Sequence, residues 1–217
     1  RRRRIWFLAL LLLLWAEAAW GALAMAGTIS VTDDQGQTIT LERPAGRVIA
    51  LYGAFNEILH GLGRAEVLVA RTSADKTPAS ITRLPVIGTH MRPNIEAVLA
   101  HRPDLVLQMT GRKEAALPVE ALRKHGVRVA VFHAATFAEL FSVIRRVGVL
   151  TGAEAQAEGM VRGMETRLAA LEAKVEARVA QTTERPRVFF EVRSPNMLAA
   201  GRSGMVAEII HKAGGLN

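Results

Sequence analysis

The hydrophobic period of this 217-residue chain changes near residue 153. Before that point, short apolar runs alternate with amphipathic stretches. The runs are Arg47–Leu51, Val67–Ala70, Leu105–Gln108 and Val127–Phe132; the stretches are Phe55–Leu62, Ile95–Ala100, Glu114–Lys124 and Phe137–Leu150. Strands that alternate with helices pair in parallel within an α/β layer. Continuous apolar strands are expected where helices cover both faces of the sheet. From 153 to 181 the pattern is different. Ala157, Val161, Met164, Leu168, Leu171, Val175 and Val179 recur at three- and four-residue steps with no proline between them. One helix through this stretch would span roughly 43 Å, more than a crossover within a small α/β layer needs. It reads as a rigid helix joining two lobes, with a coiled-coil dimer as the alternative. The pattern then restarts with a strand at Arg187–Val192, a turn at Ser194–Asn196, a short strand at Met197–Ala200 and a helix at Met205–Ala213 capped by Ser203. So little structure cannot bury its own apolar faces, so the second lobe is expected to be truncated.

Turn chemistry marks the boundaries. Asn94 can cap the helix at Ile95 behind Pro93, and Gly126 follows the cations of Lys124-His125. Thr28–Thr32 and Thr38–Leu41 flank an Asp/Gly turn and read as a hairpin ahead of the α/β pattern. A short strand is also expected at Pro85–Ile87.

The first residues differ from all of this. Arg1 to Arg4 precede an apolar run from Ile5 to Trp15, and small residues follow up to Ala26. That order is the signature of a secretory signal peptide over residues 1–26. Cleavage is expected after Ala24-Met25-Ala26 or after Ala22-Leu23-Ala24, and an uncleaved anchor is the other reading. The apolar run is shorter than the ~20 residues a membrane-spanning helix requires. Residues 27–152 then form an amino-terminal α/β lobe, 153–181 the connecting helix, and 182–217 the start of a second lobe.

Four of the positive charges behind the net +8 sit in that arginine cluster, residues 27–217 carry +5, and no basic stripe follows. Aromatic residues make up only 5% of the chain. Nucleic acid is therefore a poor partner. The absence of cysteine removes a disulfide scaffold, a thiolate metal site, a cysteine nucleophile and a lipid-modified cysteine. No phosphate-binding lysine loop, dinucleotide fingerprint, zinc-protease helix, calcium loop or nucleophile elbow occurs. No catalytic residue, resident cofactor or metal site is assigned.

One loop carries candidate chemistry. Gly88-Thr-His-Met-Arg-Pro-Asn94 leaves a strand and enters a helix, which is where open α/β sheets bind ligands. His90 and Met91 are soft donors, and Arg92 suits a carboxylate or phosphate. Tyr52, Arg112 and Arg193 follow other strands at the same kind of position. Three arginines in such places favour an anionic ligand.

Several segments occur in a familiar order: Pro44-Ala-Gly-Arg-Val-Ile-Ala-Leu51, Asn56-Glu-Ile-Leu59, Val86-Ile-Gly88, Pro93-Asn-Ile-Glu-Ala-Val-Leu99, Pro103-Asp-Leu-Val-Leu107, the long helix, and Ala213-Gly-Gly-Leu-Asn217. The chain resembles the periplasmic substrate-binding proteins of ABC importers for ferric siderophores, haem and cobalamin. The resemblance implies two Rossmann-like α/β lobes on one backbone helix, a metal-chelate ligand between them, and a chain that continues past Gly-Gly-Leu-Asn. It implies a monomer in the periplasm, delivering its ligand to the permease in the inner membrane. It also implies one docking glutamate per lobe, Glu96 and Glu208, with His211 nearer the glycines where many members have an acid. The competing reading is an exported α/β enzyme acting on a metal chelate or ester.

Overall fold

The structure, a computed structural model of the chain, describes residues 27–110, 115–181, 184–194 and 198–217. The expected signal peptide, Arg112, the start of the helix at Glu114 and the Pro195–Met197 part of the expected turn and strand lie outside these residues.

Strands β1 (Ile29–Thr32) and β2 (Thr38–Leu41) form the antiparallel hairpin. Its turn is held by Asp33, whose carboxylate accepts the backbone N–H groups of Gln35 and Gln37. Next come β3 (Val48–Ala50), α1 (Ala54–Gly61), β4 (Leu68–Ala70), α2 (Ile95–Ala100), β5 (Leu105–Met109), α3 (Ala116–Lys124), β6 (Val129–Phe132) and α4 (Phe137–Thr151). The four strands form one parallel sheet in the order β4-β3-β5-β6. Pro85–Ile87 contributes only a single parallel bridge, Arg71 to Val86, at the β4 edge.

Alternate residues of each strand serve different cores. Val48, Ala50, Leu105, Leu107, Ala130 and Phe132 face α1, α4 and the hairpin. Ile49, Val106, Val129 and Val131 face α2 and α3. Covering both faces is what makes the strands continuously apolar. Two helix starts follow their sequence signals. Asn94 Oδ1 accepts the Ala97 N–H at 2.9 Å, and Thr136 with Glu139 forms a capping box on α4.

The long helix α5 runs Glu154–Val179 and turns back against α4. Gly148 makes the crossing possible, since a Cβ there would lie 2.5 Å from that of Ala157. The apolar stripe on α5 is divided between two neighbours. Ala157 and Val161 are buried against the sheet layer, Val175 and Val179 meet Gly214, and Leu171 between them is 58% exposed.

The remaining elements are β7 (Glu191–Arg193), β8 (Leu198–Ala199) and α6 (Met205–Lys212). Two expectations change here. The strand expected from Arg187 pairs with β8 only from Glu191, while Arg187 makes one bridge to Leu216. Phe189 and Phe190 stay exposed, so the apolar run marks no interior strand among the described residues. Ser203 does not cap α6. Gly204 occupies the N-cap at φ +93°, a conformation that favours glycine, and no side-chain cap is made. No helix of the described residues is long and apolar enough to cross a membrane.

Candidate functional site

The carboxyl ends of the parallel strands bring two of the candidate residues, Tyr52 and His90, together at one edge of the sheet. Tyr52 lies two residues past the end of β3 and is 43% exposed. His90 belongs to a loop pinched at its base. Gly88 pairs with Pro93, the Asn94 N–H donates to the Ile87 carbonyl, and the backbones of Thr89 and Arg92 bond to each other. Gly88 has φ +97°, and a Cβ there would lie 2.7 Å from the Arg92 carbonyl oxygen, so the pinch requires glycine. His90 and Met91 therefore sit at the tip of a tight turn. The rings of Tyr52 and His90 meet edge to face, with centroids 6.4 Å apart. From below, the buried Gln108 side chain donates to the His90 carbonyl at 3.5 Å.

The other candidates are distributed differently. Met91 and Arg92 line a cleft of about 410 Å3 with Pro93, Ile95, Leu117 and Pro118, facing α3 rather than Tyr52. Arg112 lies outside the described residues. Arg193 is the last residue of β7 itself rather than part of a loop beyond it, and it is exposed.

The two glutamates also differ. Glu96 is exposed in the first turn of α2, without an ion pair among the described residues. Glu208 is engaged. Its Oε2 accepts the Phe137 N–H at the start of α4, and its Oε1 lies 3.6 Å from Lys212 Nζ. Lys212 also bonds to Glu172 on α5, which with the Glu208 carboxylate raises the ammonium pKa against the opposing effect of burial.

Sequence reasoning missed two residues at this edge. Thr110 follows β5 and His133 follows β6, and Thr110 Oγ1 lies 2.7 Å from His133 Nδ1. The position of His133 directly after a core strand was the available signal. The His133 backbone is fixed as well, since its N–H donates to Asp34 Oδ2 at 2.6 Å. Arg146 holds Asp34 through both terminal nitrogens. Burial raises the Asp34 pKa, but the Arg146 guanidinium and the His133 N–H outweigh it and hold the carboxyl below its ordinary value.

Residues 48–217 match the family model described as periplasmic binding protein. The chain belongs to the periplasmic binding protein family. Membership places it among binding proteins rather than enzymes and agrees with the α/β fold expected from the sequence. The ABC transporter substrate-binding lipoprotein YvrC of Bacillus subtilis (strain 168) is 26% identical over 84% of this chain and 58% of its own length. The vitamin B12-binding protein of Pectobacterium atrosepticum is 23% identical over 79% of this chain and 61% of its own. The solved periplasmic heme-binding protein RhuT from Roseiflexus sp. RS-1 superposes with a TM-score of 0.67 at 27% identity, covering 80% of this chain and 65% of that one. This periplasmic binding protein chain thus spans less than two thirds of the length of these relatives.

Proposed function

We propose that this chain is the substrate-binding component of an ABC importer, which captures a metal chelate and hands it to a permease of the inner membrane. The Tyr52–His90 pair carries the reading. A phenol and an imidazole stand together, partly exposed, at the carboxyl edge of a parallel sheet, where open α/β folds receive ligands. Both are groups that proteins use as axial ligands of haem iron. Their rings also supply a flat apolar contact for a macrocycle. Ferric siderophore, haem and cobalamin all belong to this ligand class, and the two donors favour haem. Family membership and the heme-binding and vitamin B12-binding relatives support the same class.

The rest of the proposal follows the sequence. Residues 1–26 direct export to the periplasm and are then removed, and the mature protein acts as a monomer. Residues 27–152 form the first lobe, 153–181 the joining helix and 182–217 the beginning of the second lobe. Glu96 docks on the permease. Glu208 does so through Oε1 while its Oε2 is held by Phe137, or by giving up that bond.

The test is a spectroscopic titration of the full natural chain with ferric haem, cobalamin and a ferric siderophore. Ferric haem is expected to shift its Soret band on binding, and Tyr52→Phe and His90→Ala are each expected to weaken it. Failure of all three chelates to bind would overturn the reading.

A further inference from the structure

We propose that His133 is a second binding residue for the metal of the captured chelate, with Thr110 as its positioning residue. This rests on the reading of the chain as a metal-chelate binding protein. A ligating imidazole needs a fixed ring and a free lone pair on the outward nitrogen. The ring is fixed by Thr110 Oγ1, 2.7 Å from Nδ1. In the tautomer that carries its proton on Nδ1, the hydroxyl accepts that hydrogen bond and the lone pair is on Nε2, the form the proposal requires. The Asp34–Arg146 pair anchors the backbone of the same residue. Rotation of the ring is thus limited at both ends, while the side chain remains 53% exposed.

One group competes for Nε2. Glu139 Oε2 lies 3.9 Å away, beyond hydrogen-bond distance. That oxygen already accepts the backbone N–H groups of Ala135 and Thr136, which hold it at the start of α4. Its negative charge favours a cation at this edge, and at that distance it does not occupy the nitrogen.

The placement fits a large flat ligand. Tyr52 leaves β3 and His133 leaves β6, with β5 between them in the sheet. Two strand spacings put their backbones roughly 10 Å apart, near enough for both side chains to reach one chelate. One imidazole does not hold a bare ion, but it can fill an open axial position of an iron that arrives already chelated.

The test uses the full natural chain and ferric haem as the probe, read by Soret titration and by electron paramagnetic resonance. His133→Ala is expected to lose more than about tenfold in affinity and the imidazole signature of the iron, and added free imidazole should restore that signature. Thr110→Val, which keeps the shape but removes the hydroxyl, should lose about tenfold with unchanged thermal stability. A His133→Ala protein that matches the parent in spectrum and affinity overturns this inference, while the Tyr52–His90 reading stands. A parent protein that binds cobalamin or a ferric siderophore but not ferric haem overturns this inference alone, and one that binds none of the three overturns both.

Discussion

Glu208 Oε2 accepts the Phe137 N–H at 2.7 Å, so a side chain from α6 satisfies a free donor at the start of α4. Residues far apart in the chain are joined at a helix amino terminus, where the macrodipole favours a carboxylate. The resemblance assigns this glutamate to docking, whereas the geometry gives it a structural partner. The two uses predict different outcomes. Glu208→Ala should lower unfolding stability by about 1 kcal/mol, the usual cost of a lost cap. Equal melting of variant and parent would remove the structural role.

Glu96 should behave in the opposite way. It is exposed and unpaired among the described residues, so Glu96→Arg is expected to leave melting and ligand affinity unchanged. Permease-stimulated transport should slow, with a marked salt dependence, because like charges would then meet across the contact. Undiminished transport would exclude Glu96 from docking.

Asp33 should be among the least replaceable polar residues. Its carboxylate is fully buried and accepts the N–H groups of Gln35, Gln37 and Val131 together with Arg123 Nη2. Asp33→Ala strands those donors and should cost about 3–5 kcal/mol in denaturant unfolding. A loss below about 1 kcal/mol, the size of an ordinary surface change, would show that water replaces the carboxylate.

Asp34 predicts a pH dependence. Its folded pKa lies below the ordinary 3.8, so its contribution is present above that value and is lost as pH falls through the folded one. Asp34→Asn removes the titration, and its acid limb should be shallower than that of the parent below pH 3.8. Parallel acid limbs in the two proteins would contradict the assignment.

Gly148 offers a packing test. A methyl group there meets the Ala157 Cβ at 2.5 Å, so Gly148→Ala should overpack the α4–α5 crossing by about 1–3 kcal/mol. Neutral substitution would mean that the two helices separate without cost.

The parallel layer was legible because burial on both faces leaves continuous apolar runs at each strand. The Ile95–Ala100 helix was legible to the residue, since Pro93 and the Asn94 cap fix its start. The Thr110–His133 contact was not, because it depends on the register between β5 and β6, which no local pattern encodes. The run Arg187–Val192 differed for a related reason. It reads as one strand, yet only Glu191–Arg193 is paired and Phe189 is 73% exposed, because pairing and burial are properties of neighbours rather than of the segment. Ser203 and Gly204 are both acceptable cap residues, and backbone conformation chose the glycine.

The division of the α5 stripe gives that helix a lever's arithmetic. One end is clamped at Gly148 and Ala157, and the other reaches Gly214 through Val175 and Val179. Its 26 residues make a rod about 39 Å long, so a tilt of about 5° at the clamp carries the far end through about 3 Å. A tilt that small at the fulcrum is thereby magnified into a displacement as large as a hydrogen bond is long.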